Sequence, residues 1–220
     1  MNSPIYSRTS THESALQTNK VLRNTYALLS MTLLWSAVVA GVAMAYNLPH
    51  PGMIITLVGF YGLLFMIEKN RNNATGVVFT FALTGFMGYT LGPILNMYVG
   101  AGMGDVVMTA LGGTALTFMA ASAYALTTKR DLSFINGMLM AGFVVILVGM
   151  VASFFIQTPV LHLAMSGMFV LFSTGVILLT TQQIVRGGET NYISATVSLY
   201  VSLYNLFISL LSILGVMNDD

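Results

Sequence analysis

The sequence predicts an all-α integral membrane protein, a bundle of seven transmembrane helices, on three observations. Only 7% of the 220 residues are charged while 56% are hydrophobic, and the mean hydropathy is +0.82. A soluble domain carries about 25% charge. Seven apolar runs follow one another with short polar or proline-bearing connections between them, most of them near the ~20 residues a helix needs to cross a bilayer. The eight Lys and Arg residues all fall on alternate connections. A soluble fold has no reason to sort its charges in that way.

The chain opens with a polar segment, residues 1–23, rich in Ser and Thr and carrying Arg8, Glu13, Lys20 and Arg23. It buries too little apolar surface to fold alone and reads as a flexible tail preceding a single membrane domain, residues 24–217. It has no apolar stretch after a basic start, so a cleaved signal peptide is not expected. The first span covers residues 26–46 and is stopped by Pro49 and Pro51. The second, 52–67, is short for a crossing. The third, 75–95, contains Gly88 and Gly92, a GxxxG pair that lets another helix approach closely, and Pro93 near its end. Asp105 is placed to cap the fourth span, 106–127, and Ser133 to cap the fifth, 134–156. Gln157-Thr-Pro159 leads into the sixth, 160–184, and Arg186-Gly-Gly into the seventh, 192–216.

Orientation follows from the basic residues. The tail holds three, the 68–74 loop two, the 128–133 turn two and the 185–191 turn one, while the intervening connections hold none. The positive-inside rule then places the N-terminus in the cytoplasm and the C-terminus outside, in the periplasm of a bacterium.

Several chemistries are argued against by what the spans lack. No Asp, Glu, Lys or Arg lies centrally in any of them, so proton-coupled pumping and voltage sensing have no carrier. Lys20, Lys69 and Lys129 lie outside the spans, so a Schiff-base lysine is missing. Ser166 and His162 are one turn apart, but Ala164 stands where an intramembrane serine protease has glycine. The chain has no cysteine, and its three histidines make no convincing metal set. No cofactor, metal or catalytic residue is therefore expected, nor any nucleic-acid partner.

The one polar pattern inside the spans lies in the last two. Ser194, Ser198, Ser202, Asn205, Ser209 and Ser212 are spaced 4, 4, 3, 4 and 3 apart. On a helix they share one face about 80° wide. The sixth span repeats this more sparsely with His162, Ser166, Ser173 and Thr180. Such a seam serves close helix packing with hydrogen bonds across it, or lines a polar lumen.

Ile177-Leu-Leu-Thr-Thr-Gln182, Leu199-Tyr-Val-Ser-Leu-Tyr-Asn-Leu-Phe207 and Leu210-Leu-Ser-Ile-Leu-Gly215 resemble the closing signature of the Bax inhibitor-1 (TMBIM) family. Lys20-Val-Leu-Arg-Asn-Thr-Tyr26, the run from Thr84 to Asn96, Gly102-Met-Gly-Asp105, Ala110-Leu-Gly-Gly-Thr-Ala115 and Gly187-Gly-Glu-Thr-Asn-Tyr192 extend the resemblance to its bacterial members. It implies a fold in which helix seven is central and surrounded by six others. It also implies residence in the bacterial inner membrane and association, without enzymatic activity, with the membrane-anchored AAA+ protease FtsH, which such proteins restrain. The tail with Arg8, Glu13, Lys20 and Arg23 is then the candidate segment for engaging the protease. Other branches of the family are credited with a calcium leak that depends on a buried acidic pair. The matching positions here are Thr180 and Ser202, which do not titrate in the range of carboxylates. A passive pore along the seam is the alternative function, weakened by that loss.

Overall fold

The computed structural model describes residues 5–156 and 158–218, with side chains described from Thr18 onward. Its elements are α1 (Ile5–Ala45), α2 (Met53–Asn70), α3 (Ala74–Gly100), α4 (Gly104–Thr127), α5 (Phe134–Phe155), α6 (Pro159–Val185) and α7 (Tyr192–Asn218). Seven helices among the described residues are long and apolar enough to cross a membrane, for α1 over Thr18–Ala45. The seven-helix all-α class holds.

The element ends follow from local chemistry, with two departures from expectation. Asn47 and Gly52 adopt positive φ on either side of Pro49 and Pro51, and the chain reverses there. Thr158 caps α6, its hydroxyl accepting from the Leu161 amide, with Pro159 following as the first helical residue. Asp105 does not cap α4. The helix starts at Gly104, so Asp105 lies in its first turn, where a carboxylate still opposes the helix dipole. Ser133 does not cap α5 either, because its hydroxyl donates to the Asp131 carboxylate instead.

A third departure concerns the start of the chain. The helical range of α1 runs without a break from Ile5, since no Pro or Gly interrupts it before Gly41. Residues 5–23 of the segment that composition assigns to a flexible tail therefore lie within α1. Lys20 and Arg23 are exposed on that helix, whereas the side chains of Arg8 and Glu13 lie outside the described residues.

The bundle is built around α7. Half of its most apolar window is buried, against 6% for α2 and for α5. It packs on α1, α2, α3, α4 and α6, and Leu199, Tyr200, Leu203 and Leu206 form the middle of the core. It does not touch α5, which packs on α6 alone. The ring expected around helix seven thus has five members, and α5 is an outrider. Its sequence explains this, for it is apolar on every side and has nothing to gain from the centre over lipid.

On the far side of α7, α1 and α3 make the most extensive contact in the molecule. A Cβ built on Gly92 would stand 2.5 Å from that of Ala43, and one on Gly88 would run into the Ser36 carbonyl oxygen. The two glycines let the backbones close to a distance that no side chain permits. Trp35 Nε1 donates to the Phe81 carbonyl across the same interface at 3.0 Å.

Candidate functional site

Polar groups reach α7 from two opposite sides. The first side was not anticipated from the serine pattern. Tyr200, 2% exposed, donates to the Thr84 carbonyl oxygen at 3.1 Å, and its oxygen lies 2.6 Å from the Ser36 hydroxyl. One turn on, the Tyr204 hydroxyl meets Thr90 Oγ1 at 3.0 Å while Thr90 donates to the Met87 carbonyl. These contacts tie α7 to α1 and α3, and each tyrosine oxygen is partnered. The signal was the i, i+4 tyrosine pair on the helix, since a buried Tyr hydroxyl needs a partner.

The second side is the hydroxyl seam, which the structure divides into two halves. In the outer half, at the end of α6 away from the basic connections, His162 Nε2 and Ser212 Oγ are 2.9 Å apart. Ser166 Oγ lies 3.2 Å from Ser212 Oγ and 3.0 Å from the His162 carbonyl. The imidazole therefore faces Ser212 rather than Ser166, the pairing that a serine protease reading would need. No carboxylate orients the imidazole among the described residues, so this is a packing contact between α6 and α7. Ser209 is buried one turn nearer the middle.

The inner half is different. Thr180 Oγ1 bonds Ser198 Oγ at 3.1 Å, and Ser202 donates back to the Ser198 carbonyl at 2.8 Å. Thr180 and Ser202, which match the family's acidic pair, thus both turn to Ser198 and form no hydrogen bond with each other. Ser202 follows the usual habit of a helical serine, bonding the carbonyl four residues back. Ser173 and Ser194 have buried hydroxyl oxygens with no partner among the described residues. No hydrogen bond is formed by the Asn205 side chain among those residues either.

All of these residues but Thr180 border a cleft of about 300 Å³. It exists because α2 and α6 do not pack on one another although both lean on neighbours of the core. Its floor is α7, with Ser194, Ser198, Ser202 and Asn205; Ser173 and Phe172 of α6 form one wall, Phe60 and Leu64 of α2 the other. Glu68 lies at the inner end, paired with Arg71 at 3.0 Å. Among the described residues no other acidic or basic one lines it.

At the basic end, the turn between α4 and α5 is clamped by the end of α6. Gln182, buried, accepts from the Leu132 amide and donates to the Arg130 carbonyl, and Arg186 donates to the Lys129 and Arg130 carbonyls. Arg186 also pairs with Asp131 at 3.0 Å. The Ser133 hydroxyl and amide, with Arg186 beyond them, hold the Asp131 carboxyl below its usual pKa of 3.8. Among the described residues no cluster of His, Cys, Asp or Glu has the makings of a metal site.

Residues 18–219 match the family Bax1-I, described as inhibitor of apoptosis-promoting Bax1. The chain is 62% identical over 207 residues to the Escherichia coli (strain K12) protein named Modulator of FtsH protease YccA, with 94% of each chain covered. It matches to the same extent the Escherichia coli O6:H1 protein named Inner membrane protein YccA. An uncharacterized membrane protein of Vibrio cholerae is 46% identical over 222 residues, covering 100% of both chains.

Proposed function

The chain belongs to the Bax1-I family, and from that membership we propose that it is a multi-pass protein of the bacterial inner membrane that binds and restrains the AAA+ protease FtsH without catalysing a reaction. The observation that carries this is its likeness, over nearly its whole length, to the E. coli modulator of that protease. Positive-inside sorting of the basic residues sets the N-terminus and the starts of α1, α3, α5 and α7 on the cytoplasmic side.

The mechanism follows from what an energy-driven protease meets on that side. The polar first residues of the chain, with Arg8, Glu13, Lys20 and Arg23, are the segment it would grip. A pull there loads α1 first. That helix is closed against α3 through Gly88 and Gly92 and bonded to α7 through Ser36 and Tyr200. The protease engages a handle attached to the part of the bundle that yields least, and its turnover on other membrane substrates falls while it is held.

Deleting residues 1–17 and copurifying the protein with FtsH in mild detergent tests this reading. We expect retention on the protease and slow degradation both to be lost, with membrane insertion unchanged. Equal retention and equal degradation of the inserted deletion would remove the handle from the mechanism. If the intact protein fails to copurify at all and leaves degradation of a membrane substrate unchanged, the partner itself is wrong.

A further inference from the structure

The cleft between α2, α6 and α7 contains more hydrogen-bonding capacity than the protein satisfies. Ser173 is 1% exposed and its hydroxyl, like that of Ser194, has no partner among the described residues. Asn205, partly exposed, adds an amide with two donors and a carbonyl on the helix at the centre of the bundle, and it lines the cleft. In hydrocarbon each such group costs several kcal/mol. The cleft bears no charge beyond Glu68 at its inner end. A ligand matched to neutral donors and acceptors is called for, rather than an ion.

We propose that this cleft is a water-binding vestibule, open at the basic end of the molecule and closed at the middle of the bilayer. From Ser194 to Asn205 it descends roughly 16 Å along α7, about half of a ~30 Å hydrocarbon core. Its volume of about 300 Å³ takes on the order of ten waters at ~30 Å³ each. Beyond Asn205 the seam is shut, because Ser209 is buried and Ser166, Ser212 and His162 are bonded to one another. The seam is therefore hydrated over one half and dry over the other, and it does not conduct.

The natural absence of cysteine makes the test direct. A thiol reacts through its thiolate, which forms in water and not in lipid. Single variants Ser198→Cys and Asn205→Cys are treated with a membrane-impermeant methanethiosulfonate from either side of sealed vesicles. Val144→Cys, exposed midway along α5, reports the lipid-facing rate; Asn73→Cys and Ala101→Cys report the basic and opposite ends. We expect Ser198→Cys and Asn205→Cys to be labelled only from the side that labels Asn73→Cys, at least tenfold faster than Val144→Cys. Labelling at the Val144→Cys rate, or from the Ala101→Cys side, overturns the proposal. Which side of the membrane the basic end faces rests on the orientation proposed above, and Asn73→Cys tests that separately: if it labels from outside, the orientation fails while a cleft that follows it stands. Should Asn205→Cys not insert, Val201→Cys, on the same α7 floor, decides the outcome.

Discussion

The tyrosine side and the serine side of α7 spend their hydroxyls in opposite ways. On the tyrosine side both tyrosine hydroxyls are matched, Tyr200 by Thr84 and Ser36 and Tyr204 by Thr90, and glycines bring the backbones of α1 and α3 together behind them. On the serine side the groups outnumber their partners, and Ser173 and Ser194 are left over beside a cleft. The difference teaches that polarity inside a membrane bundle has two uses. Two-point bonds from a stiff aromatic side chain fix a helix, whereas short hydroxyls, which can bond their own backbone, leave a surface that a solvent can share.

Breaking the first side should have the largest effect. Gly88→Ile forces a side chain into the Ser36 backbone and should destabilise the bundle by about 3 kcal/mol. The measurement is the unfolding midpoint in detergent; an unchanged midpoint would mean that α1 and α3 are not closed there. Tyr200→Phe keeps the ring but removes the bonds to the Thr84 carbonyl and the Ser36 hydroxyl, and should cost about 1–3 kcal/mol in the same assay. On the serine side the effects should shrink. Ser198→Ala removes the Thr180 contact and should cost only about 0.6 kcal/mol. Ser173→Ala removes a hydroxyl that no described protein group partners and should cost less than Tyr200→Phe does. If Ser173→Ala proves as costly as Tyr200→Phe, the contrast between the two sides fails.

At neutral pH a small effect is also expected of the clamp at the basic end. Asp131 has a folded pKa below 3.8, so its contribution is present above that pH and is lost as the pH falls through the lower folded value. Asp131→Asn should flatten the acid limb of the unfolding curve and change little at neutral pH, since the carboxylate is exposed.

Much of this was legible without coordinates. Seven spans followed from hydropathy and length, and the serine face of α7 followed from 3.6-residue periodicity, because both depend only on the chain's own geometry. The capping roles of Asp105 and Ser133 were misjudged because each residue had a competing partner or position one step away. The pairing of Thr180 with Ser198 rather than Ser202 was beyond the pattern. Both serines face the same way, and only the relative height of α6 and α7 decides which one a threonine reaches.

The chain alone thus settles how many helices cross and which faces are polar, since these are properties of single segments in a given solvent. Packing between segments decides the rest. α5 lies outside the ring although it is the most apolar span, because lipid serves it as well as the core does. The same hydroxyl stripe is sealed in one half and open in the other, because α2 and α6 do not pack on one another beside it. A gap between two helices is written in neither of their sequences.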